Sequence, residues 1–198
     1  EYILLKLSKQ NRIVIVKNKY YLSDHYDAEE YITDRLVKLN EMKRRKLPKL
    51  ETKIKVLEDA NNIIYDKSQK EAITKALNNN LTIITGGPGT GKTTIIKCIV
   101  KLLIDIYGIN ESKIALLAPT GRASKRMSML SSHYACTIHR LLKWDLHSNS
   151  FAYNVNNKLK TDVIIIDEFS MVDTLLFEAL LLGTISVSQI IIIGDDGQ

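Results

Sequence analysis

The stretch "LTIITGGPGTGKTTIIKCIVKLL", residues 81–103, constrains the fold more than any other part of the chain. An apolar, strand-forming run ends at Thr85, a glycine-rich turn follows, and a helix-forming run opens on a lysine. Gly86-Gly87-Pro88-Gly89-Thr90-Gly91-Lys92-Thr93 fits GxxxxGK[ST], the loop that joins a parallel strand to a helix and holds a triphosphate. The glycines let the backbone turn its N–H groups inward with no Cβ in the way. The helix adds its positive N-terminal end, including Thr94 in its first turn. Lys92 is expected to reach the β- and γ-phosphates and the Thr93 hydroxyl to ligate Mg²⁺. The expected cofactors are therefore ATP and Mg²⁺.

Downstream the chain alternates between apolar runs and helical patterns. Leu81–Thr85, Ile114–Ala118, Val163–Ile166 and Gln189–Ile193 read as strands. Between them Gly91–Tyr107, Arg122–Leu130 and Met171–Leu182 read as helices, and a further helix starts at Ser68 with Ser68-Gln69-Lys70-Glu71 as its capping box. Strands that are almost continuously Ile, Leu or Val, separated by helices, imply an α/β fold: a parallel sheet with helices on both faces. Alternating Phe151, Tyr153 and Val155 suggest a hairpin inserted before the third strand.

Upstream, a small α+β segment is expected. It comprises two short strands about a polar break at Ser8–Arg12, then a helix over Asp24–Asn40 with Tyr31, Ile32, Leu36 and Leu39 on one side. Next comes a run rich in lysine and arginine, interrupted by Pro48. These features divide the chain into an N-terminal segment 1–48, a basic linker or helix 49–65, and an ATPase domain 66–198.

The 198 residues carry a net charge of +6, which suits a polyanionic partner without demanding one. The basic run reads as a solvated linker more readily than as a dedicated DNA patch. Cys98 and Cys136 make neither a disulfide framework nor a metal site by themselves. No apolar run is long enough to span a bilayer and the first residues lack the pattern of a signal peptide, so the expected setting is cytoplasmic, with no membrane partner.

A metal-holding carboxylate should stand at the end of a neighbouring strand, and "DVIIIDE" supplies one. Asp167 is expected to hold Mg²⁺ through water. Glu168 is expected to polarise the attacking water as general base, since adjacent carboxylates can take different roles. A carboxylate that merely caps the next helix is the plainer alternative for Asp167.

The ordered set "TGGPGTGKTT", "LAPTGRAS", "TIHRLL", "IIIDEFSMVD" and "IIIGDDGQ" resembles superfamily 1 DNA helicases, the RecD/TraA branch above all. The likeness covers roughly Asp66–Gln198 and corresponds to the first of that family's two RecA-like motor domains. It implies that Gln69 reads adenine, and that Gln198 senses the γ-phosphate and joins Lys92 and Glu168 in catalysis. It implies single-stranded DNA contacts for Pro119, Thr120, Arg122, Thr137, His139 and Arg140. A helix-start histidine buried in hydrogen bonds is an equal reading of His139. In the family a second motor domain of the same full-length chain supplies arginines across the cleft. This chain is accordingly expected to be a helicase fragment, weak in hydrolysis alone, from a protein that unwinds 5′ to 3′ in repair, recombination or conjugation. The alternative is a nucleotide-dependent switch module such as an AAA-type loader.

Overall fold

Chain direction and hydrophobic alternation together fix where the site can be. The computed structural model describes residues 2–44, 49–87 and 89–195; the expectations for Pro48, Pro88 and Gln198 lie outside them. Five strands form the central sheet: β3 (Leu81–Thr85), β4 (Ile114–Ala118), β5 (Ala135–Thr137), β9 (Val163–Ile166) and β11 (Gln189–Gly194). Their order is β3-β11-β9-β4-β5 and each neighbouring pair is parallel. All five therefore end on one edge, where α/β proteins place their ligands.

Within each strand, alternate residues enter different cores. Val163 and Ile165 of β9 and Ile191 and Ile193 of β11 pack beneath α3 (Leu50–Asn61), α4 (Lys67–Asn78), α5 (Lys92–Tyr107) and α6 (Gly121–Ser131). Ile164, Ile166, Ile190 and Ile192 face α2 (Ser23–Glu41), α7 (Ile138–Leu141) and α8 (Thr174–Leu182) on the other side. A strand buried on both faces has no polar side to show, which is why these runs read as unbroken isoleucine.

The N-terminal segment differs from its expectation. Tyr2–Lys9 is a helix, α1, and the strand pair is β1 (Ile13–Val16) with β2 (Lys19–Leu22), antiparallel. Lys17 and Asn18 both have positive φ, 47° and 63°, and close a two-residue turn. That tight turn pairs residues 13–22 with themselves. Helix α2 lays Tyr31, Ile32, Leu36 and Leu39 into the second core, the four apolar positions its periodicity marks.

Three further departures have local causes. The capping box of α4 is Asp66 with Gln69, not Ser68 with Glu71; Asp66 accepts from the Gln69 N–H at 2.8 Å, and the helix starts at Lys67. Helix α8 begins at Thr174 because Asp173 caps it by accepting from the Leu176 N–H at 2.9 Å, while Phe169–Met171 forms a separate 3₁₀ turn. The first residue described after Pro48, Lys49, leads directly into α3.

Arg44, in the basic run, is neither solvated nor free for a polyanion. Its guanidinium donates to the Leu77 carbonyl at 2.9 Å, Asn80 Oδ1 at 3.3 Å and Gln189 Oε1 at 2.8 Å, and it lies over the Tyr107 ring. It fastens the segment after α2 to the amino ends of β3 and β11. A hairpin is present in the expected region, as β6 (Trp144–Asp145) with β7 (Ser150–Phe151), but Tyr153 and Val155 lie beyond it in a bend and a turn. A short parallel pair, β8 (Leu159–Lys160) with β10 (Thr184–Ile185), accompanies it. Both cysteines are buried and free, and burial pushes both thiols up, Cys98 to about 11.

Candidate active site and nucleic-acid interface

The glycine-rich loop follows β3 and continues its ladder: the Gly86 N–H bonds the Gly194 carbonyl of β11 at 3.3 Å. Gly91 caps α5 with φ of +81°, in the left-handed region. A Cβ there would also lie 2.5 Å from Gln69 Nε2, the movable end of that side chain, so it is the backbone conformation that requires glycine. Gln69 itself stands behind the loop. Its Nε2 donates to the Thr90 carbonyl at 2.9 Å while its Oε1 accepts from the Asp66 N–H at 3.1 Å. The amide thus joins the cap of α4 to the phosphate loop.

In front of the loop is a cavity of about 320 Å³, lined by Gly89–Thr94, Asp167, Glu168 and Asp195 on three strand ends. It brings Lys92, Thr93, Asp167 and Glu168 together, as their spacing in the sequence leads one to expect. The Lys92 ammonium donates to the Gly87 carbonyl at 3.0 Å, to that of Gly86, and to the Asp195 carboxylate. Asp167 extends β9, its N–H bonding the Leu117 carbonyl at 2.9 Å. Burial raises its pKa, and the charges of Glu168 and Asp195 add to the rise; the Glu168 N–H and Lys92 oppose it. Glu168 adopts φ 53°, ψ 40°, a left-handed conformation rare outside glycine and asparagine, which turns the chain sharply at the end of β9. Asp167 does not cap α8, since Asp173 does.

The nucleic-acid candidates stand on the other two strand ends. Pro119 and Thr120 follow β4, and the Thr120 hydroxyl caps α6 by accepting from the Ala123 N–H at 3.2 Å. Thr137 ends β5 and caps α7, accepting from the Arg140 N–H at 3.2 Å. Each hydroxyl keeps its proton for another acceptor. Arg122, His139 and Arg140 are exposed. His139 is thus not a buried core histidine; its ring packs against Trp144 and Phe151 of the hairpin, centroids 6.0 and 5.8 Å away. Gly121, Thr137 and Arg140 line a cleft of about 440 Å³ between α6 and β5, together with Lys125, Met129 and Tyr134. Pro119, Thr120, Arg122 and His139 are not among its lining.

Four contributors escaped sequence reasoning: Asp195, Lys125, Tyr134 and Arg126. The Tyr134 ring is 65% exposed, with the Arg140 guanidinium 5.9 Å from its centroid. Arg126 stands two residues beyond "LAPTGRAS" in the sequence and lines the nucleotide cavity. No sequence signal marks Arg126 for the cavity, because its neighbours there come from strand ends far along the chain.

Comparison with known proteins places the chain in a family. The family model described as an AAA domain matches residues 69–198. The RecD subunit of the RecBCD enzyme of Buchnera aphidicola subsp. Schizaphis graminum is 35% identical over 207 residues, covering 94% of this chain and 33% of that subunit. The ATP-dependent RecD2 DNA helicase of Deinococcus radiodurans is 31% identical over 132 residues, 67% of this chain and 18% of that protein. Among solved structures, the UvsW helicase from bacteriophage T4 aligns with a TM-score of 0.53 at 11% identity, covering all of this chain and 86% of that one, a likeness of fold. The chain spans about a third of the length of the RecD subunit it matches. It belongs to the AAA domain family and, within it, is a homologue of the RecD subunits, on the superfamily 1 branch its motifs resemble.

Proposed function

We propose that the chain binds ATP with Mg²⁺ at one end of the strand edge and single-stranded DNA at the other, as the first motor domain of an ATP-dependent helicase working 5′ to 3′. The observation that carries this reading is the shared edge. Five parallel strands deliver Lys92, Asp167 and Glu168 to one cavity, and Thr120, Thr137 and Arg140 to positions beside it. The names of its RecD and RecD2 relatives support the reading.

In this mechanism Lys92 leaves Asp195 for the β- and γ-phosphates, and backbone N–H groups of the loop bond the phosphate oxygens. Gln69 reads adenine only by giving up its bond to Thr90. Mg²⁺ would be held by the Thr93 hydroxyl and, through water, by Asp167, and would offset charge on the phosphates. Among the described residues no cluster of three or more His, Cys, Asp or Glu could hold a metal alone. One carboxylate and one hydroxyl suit an ion that keeps its waters and shares the phosphates. Glu168 accepts the proton of the attacking water. A second motor domain supplies arginines to the transferring phosphate, and Gln198 senses its loss. Thr120, Arg122, Thr137, His139 and Arg140 grip the phosphodiester backbone without reading sequence.

The test is a titration of a fluorescent single strand at two salt concentrations, with and without a non-hydrolysable ATP analogue. Binding should weaken steeply with salt, as phosphate contacts require. No binding under any of these conditions would count against the helicase reading and favour a switch module. Among the described residues no helix is long and apolar enough to cross a membrane.

A further inference from the structure

Helix α6 separates the nucleotide cavity from the single-strand cleft, and its residues divide between them with helical regularity. Ala123, Arg126, Met127 and Leu130, at i, i+3, i+4 and i+7, line the nucleotide cavity. Gly121, Ser124, Lys125 and Ser128, with the same spacing, line the cleft. Residues so spaced share a helix face, so one helix presents one face to each site.

The helix is held firmly between the two. Met127 is 2% exposed and sits in the core beneath the sheet. The Ser128 hydroxyl accepts from the Ala135 N–H at 2.8 Å, which ties α6 to β5, the strand ending in Thr137. A displacement on the nucleotide side therefore has a rigid path to Thr137 and Arg140. On that side Arg126 is the cation without a partner. Among the described residues its guanidinium makes no hydrogen bond or ion pair. Lys92, the other cation of the cavity, is already bonded to two carbonyls and Asp195. Asp167, Glu168 and Asp195 line the same cavity. A triphosphate entering beside three carboxylates gains from a further cation besides Lys92 and the Mg²⁺, and a guanidinium suits phosphate oxygens by its paired donors.

We propose that Arg126 binds the phosphate tail of the nucleotide, and that α6 is the shared wall through which occupancy of the cavity alters the grip on a single strand. This rests on the nucleotide and single-strand reading above. It assigns Arg126, which stands just after "LAPTGRAS" in the sequence, to the nucleotide. Lys125, one residue earlier, serves the other site.

The experiment compares Arg126→Ala, Arg126→Lys and Lys125→Ala with the unaltered chain. It measures affinity for MgADP, for a non-hydrolysable Mg-triphosphate analogue, and for a labelled oligothymidylate with and without that analogue. Arg126→Ala should weaken the analogue about tenfold, the worth of a charge-assisted contact, and MgADP by less. It should leave nucleotide-free oligothymidylate binding within about twofold and abolish the analogue's effect on it, since coupling is reciprocal. Arg126→Lys should recover part of the loss. Lys125→Ala should weaken the oligothymidylate alone. Unchanged analogue affinity in Arg126→Ala would overturn the proposal. So would a loss of nucleotide-free oligothymidylate binding equal to that in Lys125→Ala. If the unaltered chain binds both ligands with no mutual effect, the coupling falls. If it binds neither, the functional reading fails before Arg126 is at issue.

Discussion

The two ends of the strand edge are built in opposite ways. Where β3, β11 and β9 end, polar groups are already engaged within the domain. Lys92 pairs with Asp195, Gln69 holds Thr90 and Asp66, and Asp167 is half-buried against the Glu168 N–H. Where β4 and β5 end, Arg122, Lys125, His139 and Arg140 stand exposed, and the two threonines anchor only their own helices. The first arrangement suits a small ligand whose reacting atoms must be placed to a fraction of an ångström. The second suits a long polyanion that must be gripped and released in steps, where solvated cations give affinity without fixing register. Preorganisation and openness sit side by side on one sheet.

Replacing one group at each end should expose that difference, and the largest effect belongs to the engaged end. Glu168→Gln should keep MgATP binding while lowering hydrolysis about 10²–10³-fold, the usual worth of a general base. Phosphate release, measured beside nucleotide affinity, checks it. Full hydrolysis in the variant would remove Glu168 from the chemistry. Lys92→Ala should weaken MgATP about a hundredfold, by calorimetry, through loss of a charge-assisted contact. Nucleotide-free single-strand affinity should stay within about twofold, because Lys92 faces only the loop and Asp195.

Arg44 tests whether either site depends on the opposite edge of the sheet. It bonds Gln189, a fully buried polar side chain at the start of β11. Arg44→Ala strands that amide oxygen and empties a fork of three bonds, so the chain should lose about 2–4 kcal/mol in chemical denaturation. Arg44→Lys should not rescue it, since an ammonium cannot span three acceptors in one plane. Both ligand affinities should persist below the unfolding transition. Their selective loss would show that the amino ends of the strands reach the sites.

What the sequence disclosed follows the same division. Lys92, Thr93, Asp167 and Glu168 were legible because a phosphate loop and a strand-end acid pair need particular residue types at particular spacings. Three strands, β4, β9 and β11, were legible because burial on both faces favours unbroken apolar runs. Strand β3, at the edge of the sheet with Ile83 exposed, was legible from the phosphate loop that follows it. The rest depended on partners far along the chain. Nothing in Ala135-Cys136-Thr137 alternates, and β5 exists because β4 offers its edge. Arg44 looked like one more lysine-rich linker residue until Leu77, Asn80 and Gln189 came into reach. The first helix was hidden because its apolar residues fit a strand equally well. Only the turn at Lys17–Asn18 shows that the hairpin has no place for it.

A smaller effect should distinguish two roles for Gln69. If its amide mainly reads adenine, Gln69→Glu changes the preference for ATP over GTP and leaves Mg-tripolyphosphate, which has no base, unaffected. If its bond to Thr90 keeps the loop in shape, all three ligands weaken together, by about fivefold for one lost hydrogen bond. The geometry in hand, with both ends of the amide occupied, favours the second result.

The smallest expected effect lies at the open end and separates capping from gripping. Thr120→Val removes the hydroxyl, so stability should fall by about 1 kcal/mol with the lost cap and single-strand affinity by a few-fold. Taken alone, that result could mean only a frayed α6. Thr120→Asp resolves it. Aspartate caps a helix as well as threonine does and favours the N-terminal dipole, so thermal stability should hold or rise. Its carboxylate would nevertheless face any phosphate approaching the helix start, and affinity for a single strand should fall further than in Thr120→Val, most visibly at low salt. A stable Thr120→Asp protein that binds single strands like the unaltered chain would leave Thr120 as a cap and nothing more. The open end would then rest on Arg122, Lys125 and Arg140 alone.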